Sequence, residues 1–220
     1  MPAGAQTGAR TNVRAGLGWS DTEQALLRAH GPLLAAVDEV GRGPLAGPVV
    51  VCALVMPPHA PVVPGVDDSK RLAPARRARL DADVRAAAVA WALGAASARE
   101  VDALNVYHAT TRAMRRALDR LERRLGRAPD HVLVDGRPVR ALGRAHTAVV
   151  GGDGRCYAVA CASVVAKEAR DRLMRALARR HPAYAWAQNA GYGTAAHRAA
   201  LDAHGPTRHH RRSFLRDPRP

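Results

Sequence analysis

The chain has 220 residues, enough for one domain with a hydrophobic core. Its 34 Lys and Arg against 19 Asp and Glu give a formal net charge of +15, which points to a polyanionic partner, nucleic acid first. Aromatics at 4% leave little surface for stacking splayed bases, the three cysteines form no C-x-x-C, and no apolar run spans a bilayer, which argues against single-strand stacking, zinc or disulfide frameworks and membrane insertion.

Residues 1–19 carry Arg10 and Arg14, no acid, and no apolar centre of a secretory signal. They read as a disordered tail, an organellar transit segment being the alternative, and a cytoplasmic setting is expected. The ordered domain is expected over 20–206, with a basic irregular tail over 207–220. Ser20 and Glu23 form a capping-box pattern opening a helix to about His30, which Gly31-Pro32 stops. Strands are expected over Leu33–Asp38 and Pro48–Met56, buried on both faces. A helix follows from Pro74 to about Val84. Ala86–Ala98 reads as a third strand, though its alanines could equally make a helix. From Ala98 to Gly126 the pattern is helical in two pieces, the second with Ala113, Leu118, Leu121 and Leu125 inward and Arg115, Arg116, Arg120, Arg123 and Arg124 outward and solvated. Strands His131–Val134 and Ala145–Val150 come next, then helices Ala158–Arg180 and Ala195–His204. The order is that of an α/β fold around a mixed sheet.

Three apolar runs end in acids: Asp38-Glu39, Asp135 and Asp153. If those strands are neighbours, their ends gather carboxylates that repel one another unless a cation neutralises them. One or two Mg²⁺ or Mn²⁺ ions are the natural answer, and a pair about 3.5–4 Å apart can activate water and stabilise the leaving oxygen of a phosphodiester. Adjacent strand residues face opposite ways, so Asp38 and Glu39 share a site only if the strand twists or ends there, for which Gly41 gives the opportunity. The Gly41-Arg42-Gly43 loop can bring bare backbone against a phosphate-bearing substrate.

Taken together, VDEVGRGPLAGPV, VDDSKRL, DALNVYHAT, VLVDG, GGDG, ASVVAKEARDRLM, GYGT and HGPTRHHRRSF resemble the bacterial ribonuclease HII family over about Leu33–Phe214. The resemblance implies a ribonuclease H-like mixed sheet flanked by helices, with a C-terminal helical extension. It implies a metal-dependent endonuclease that cleaves the RNA strand of RNA–DNA hybrids and nicks 5′ to single ribonucleotides in duplex DNA, leaving a 3′-hydroxyl and a 5′-phosphate. Carried over by position, Asp38, Glu39 and Asp135 are the metal ligands and Asp153 the fourth active-site carboxylate. Asp171 competes for that role, but its basic neighbours favour a structural ion pair.

Gly41, Arg42 and Gly43 match the loop that reads the ribonucleotide, and Tyr192 the ring that packs on the adjacent deoxyribose. Lys70, Ser163 and Lys167 are candidate phosphate contacts, and Arg211 and Arg212, in a run from Arg208, candidate grips on the duplex backbone. Gly193 and Ala190 depart from the family pattern, where Pro and Lys are usual. The chain is expected to act as a monomer, with any replication-clamp contact not legible. Two alternatives are a non-catalytic hybrid-binding module, which should lack an acid, and the related ribonuclease H type that ignores single ribonucleotides.

Overall fold

The computed structural model describes residues 16–215; expectations for residues 1–15 and 216–220 lie outside the described residues. Helix α1 (Asp21–His30) opens on the expected capping box, Ser20 accepting from the Glu23 N–H and Glu23 from the Ser20 N–H. Strands β1 (Leu34–Val40) and β2 (Val49–Val55) flank the glycine loop. Helix α2 (Pro74–Ala87) precedes β3 (Ala90–Ala96), so the alanine-rich segment divides between helix and strand. Helix α3 (Ala98–Leu125) breaks at Asn105, whose φ of 65° is left-handed. The Asn105 side chain accepts from the His108 N–H and so restarts the helix. Strands β4 (His131–Asp135) and β5 (His146–Val149) follow, then α4 (Tyr157–Arg180), a short α5 (Trp186–Asn189), α6 (Ala195–His204) and α7 (Arg212–Leu215).

The sheet order is β3-β2-β1-β4-β5. β1 pairs antiparallel with β2 and β2 with β3, while β1–β4 and β4–β5 are parallel. Strand alternation divides the core in two. Leu34, Ala36 and Leu133 point to the α4 side, and Ala35, Val37, Val132 and Val134 to the α3 side.

Two expectations are corrected. The arginine face of α3 is not simply solvated. Arg116 and Arg120 donate to the carbonyls of Ala95 and Leu93 at 2.7 and 2.6 Å, and Arg124 to that of Trp91. Four helical residues rise about 6 Å and two strand residues about 6.6 Å, so the ladder matches alternate carbonyls of the edge strand. It shields an edge that would otherwise invite pairing. Nor does the ordered body stop at 20–206. Leu17 donates to Val66 O at 2.9 Å, and Trp19 packs edge-on to Tyr157. At the other end, Asp102 on α3 accepts from the N–H groups of Arg212 and Ser213, capping α7. All three cysteines are free and buried, as expected.

Candidate active site

Asp38 continues the α4-facing side of β1 and is only 5% exposed, its Oδ1 accepting from the Glu39 N–H at 2.7 Å. Glu39 faces the other way. It lines a cleft of about 470 Å³ with Tyr107, Thr110, Asp135 and Arg137. The strand does not end at the acids, as one solution required; it runs on to Val40 and keeps their side chains apart. Asp135 links the two sides. The parallel register pairs Val37 with Val134, so Asp135 follows one step on beside Asp38, and it also lines the cleft of Glu39.

The Asp135 carboxylate accepts from the Gly152 N–H at 2.7 Å, which ties β4 to the 3₁₀ turn Gly152–Gly154. That turn holds Asp153, buried and paired with Lys70 at 3.1 Å. Burial, then the neighbouring charges of Glu39 and Asp135, push the Asp38 carboxyl well above the usual range, against the opposing Ser163 hydrogen bond. Burial also raises Glu39, partly offset by Arg42, and raises Asp135, partly offset by the Gly152 N–H. The strand ends therefore converge, yet their acids are not closed into a ligand set. Among the described residues no group of three or more His, Cys, Asp or Glu is arranged to hold a metal ion. Glu39 turns one oxygen to Arg42 at 3.2 Å, and Asp153 turns one to Lys70.

The Gly41–Gly43 loop lies at this end of the sheet. Gly41 has φ +89°, and a side chain there would collide with Arg170. A Cβ on Gly43 would stand 3.7 Å from the Tyr192 ring, so loop and tyrosine face one another, with Tyr192 47% exposed. Ser163 is buried and shares a 2.9 Å hydrogen bond with Ser69. Lys167 pairs with Asp171 at 2.7 Å, and Arg77 takes the other Asp171 oxygen at 2.8 Å. Asp171 is thus an ion-paired residue, as expected, though its cations are not the adjacent arginines. Arg212 is exposed.

Arg211 departs from the expected backbone grip. It is 0% exposed, because its guanidinium is enclosed by the carbonyls of Gly41, Arg42 and Gly47. Arg170 is equally buried and was not singled out from the sequence. A signal existed: Ser163, Ala166, Arg170 and Met174 fall on one buried stripe of α4 at helical spacing.

The family model for Ribonuclease HII matches residues 35–217. The ribonuclease HII of Thermosynechococcus vestitus is 48% identical over 196 residues, covering 88% of this chain and 89% of its own. The crystal structure of ribonuclease H2 from Pyrococcus horikoshii superposes with a TM-score of 0.66 at 22% identity, over 84% of this chain and 99% of that one. The PCNA:RNase HII complex from Archaeoglobus fulgidus gives a TM-score of 0.65 at 22% identity, over 81% of this chain and 93% of that one. A mixed five-stranded sheet with helices on both faces, parallel strands ending in acids and similarity over nearly the whole described chain agree: this protein belongs to the ribonuclease HII family, with its ribonuclease H-like fold, and is a ribonuclease H endonuclease.

Proposed function

We propose that the chain is a divalent-metal-dependent enzyme of ribonucleotide removal. It cuts the RNA strand of RNA–DNA hybrids and nicks 5′ of single ribonucleotides in duplex DNA, leaving a 3′-hydroxyl and a 5′-phosphate. In this reading Asp38, Glu39 and Asp135 hold Mg²⁺ or Mn²⁺, and Asp153 is the fourth active-site carboxylate. A hard cation bound there neutralises the acids and activates water.

The observation that carries the reading is the position of Asp135, beside Asp38 in register, in the cleft of Glu39, and hydrogen-bonded to the turn of Asp153. The donors suit such a cation. All are oxygens, three are desolvated and pushed toward protonation, and Glu39 Oε2 is buried with no hydrogen-bond partner. Arg42 and Lys70 have long exposed side chains. They can leave Glu39 and Asp153 for phosphate as the carboxylates turn inward.

The loop reads the 2′-hydroxyl, the group that separates RNA from DNA at one sugar. Tyr192, beside Gly43, favours a neighbouring sugar that lacks it. Lys70, Lys167 and Arg212 meet phosphates of the duplex. The domain acts as a monomer in the cytoplasm, and the archaeal PCNA complex supports a sliding clamp as a partner. Among the described residues no helix is long and apolar enough to cross a membrane.

The test is a duplex bearing one ribonucleotide, incubated with and without Mg²⁺ or Mn²⁺, with the nick mapped to the nucleotide. Cleavage 5′ of the ribonucleotide only with metal is expected. Asp135→Asn should abolish it while sparing duplex binding, and near-normal turnover would remove Asp135 from the ligand set.

A further inference from the structure

Two arginines lie buried beneath the Gly41–Gly43 loop, and among the described residues every hydrogen bond their side chains make goes to a backbone carbonyl. Arg170, on α4, donates to Pro48 O at 3.0 Å, Ala190 O at 2.9 Å and Ala46 O at 3.1 Å. Arg211 donates to Arg42 O at 2.7 Å, to Gly47 O at 3.1 and 2.9 Å, and to Gly41 O. Burying a guanidinium without a carboxylate is costly, so a sequence that does so twice under one loop needs a return elsewhere.

The return is visible in the peptide geometry. In a trans peptide the C=O and N–H point in opposite directions. Holding the carbonyls of Gly41 and Arg42 inward therefore turns the N–H groups of Arg42 and Gly43 outward, on the exposed side of the loop. Two successive outward N–H groups make an anion- and hydroxyl-binding concavity.

The same clamp reaches the tyrosine. Ala190, whose carbonyl takes Arg170, stands two residues before Tyr192, and the Gly191 carbonyl accepts from the N–H groups of Leu45 and Ala46. From behind, the chain at His209–Arg211 pairs with the loop: Gly47 N–H donates to His209 O, and Arg211 N–H to Leu45 O. Phe214 closes the stack, its ring 5.2 Å from the Arg211 guanidinium carbon.

We propose that Arg211 and Arg170 are positioning residues for ribonucleotide recognition, a paired clamp that aims the Arg42 and Gly43 N–H groups and holds Tyr192 opposite them. The proposal rests on the loop being the reader. It assigns the buried arginine of the basic C-terminal run to shaping the site, not to touching the duplex.

The experiment compares the wild type, Arg211→Lys and Arg170→Lys. Lysine keeps the charge but cannot fork to several carbonyls. Affinities are measured in chelator for a duplex with one ribonucleotide and for the same duplex in all-DNA form, together with kcat and KM on the first. The wild type should prefer the ribonucleotide duplex. In either variant that preference should fall about tenfold, the equivalent of one charge-assisted hydrogen bond, with all-DNA affinity unchanged. A wild-type preference that both folded variants retain within twofold overturns the clamp alone. A wild type with no preference overturns the reading role of the loop and the clamp with it. Should the variants not fold, hydrogen exchange on the wild type decides. Slow exchange at Leu45–Gly47 before substrate is added supports a preset loop, and exchange at free-chain rates until the duplex is bound overturns it.

Discussion

Glu23 offers the sharpest quantitative test of how the site is supported. It is a fully buried carboxylate. One of its oxygens accepts from Ser20 N–H at 2.9 Å and from Tyr157 N–H at 3.0 Å, the other from Ala158 N–H at 2.7 Å. It therefore caps α1 within its own chain segment and α4 from outside, where Cys156 provides no side-chain cap. A negative charge at a helix N-terminus is favourable, and here it fastens the first turn of the helix that follows the Asp153 turn.

Glu23→Ala removes both bonds to α4 and leaves two N–H groups buried. At about 1.5 kcal/mol for each bond to a charged acceptor, the loss is about 3 kcal/mol, a large share of a domain's stability. For a domain of this size that corresponds to a fall of roughly 6–12 °C in the melting midpoint. Glu23→Gln keeps one acceptor oxygen and sets an amide NH₂ against the other donors, so it should lose about half as much. Urea unfolding with matched slopes measures both. A loss below about 1 kcal/mol for Glu23→Ala would refute the capping of α4 in trans.

The remaining predictions concern charge. Folded-state carboxyl values above the ordinary range mean that the folded protein holds protons the unfolded chain has released. The contribution of Asp38, Glu39 and Asp135 therefore turns against folding as pH rises from near 4 through the raised values. In chelator at neutral pH, Asp38→Asn should melt higher than the wild type and lose part of the stabilisation that Mg²⁺ gives. A lower melting point in both conditions would reject the repulsion.

The C-terminal histidines have the opposite sign. His210 Nδ1 accepts from Thr207 N–H at 2.9 Å, so its other nitrogen donates to His197 Nε2 at 3.0 Å, which also accepts from Trp186. His197 Nδ1–H then donates to Tyr192 O at 2.8 Å, and the neutral network is complete. Burial, with His197 nearby, pulls His210 down to about 4, and burial with the Arg198 charge lowers His197. Stability from His210 is thus present above pH 6.5 and lost as pH falls toward 4. His210→Asn should remove that difference between urea unfolding at pH 7 and at pH 4.5, and an unchanged difference would refute it. Arg42→Ala should weaken binding and cleavage at a lone ribonucleotide, and unchanged kinetics there would show that its side chain takes no part.

What could be read from the sequence was what depends on local periodicity. The capping box at Ser20, the strand ending in Asp135 and the two-piece character of α3 all follow from neighbours within a turn or two. What could not be read was which distant backbone a side chain would meet. Arg116, Arg120 and Arg124 look like a solvated face because nothing local reveals that the edge of β3 lies beneath them. Arg211 sits in a run of basic residues and looks exposed. Only the antiparallel bridge of Ala46 with His210 puts it under the glycine loop. Asp38 and Glu39 are a further case: Gly41 offers the strand an ending that would bring them together, and the strand instead runs on regularly to Val40.

That opposition becomes intelligible from the sheet order. The chain builds β1, β2 and β3 outward in one direction, then crosses by α3 to lay β4 and β5 on the other side of β1. The order reverses between β1 and β4, and in open α/β sheets such a reversal leaves a crevice beyond the carboxyl ends of the strands. Asp38 and Glu39 stand near the carboxyl end of one bordering strand and Asp135 at the end of the other, while the glycine loop returns at the same end of the sheet to start β2. Because the crossover helix covers one face and α4 the other, an acid on either face of β1 still borders the crevice. Asp135 borders both, so under the proposed metal-ligand role a single substitution there should cost more activity than its modest burial suggests.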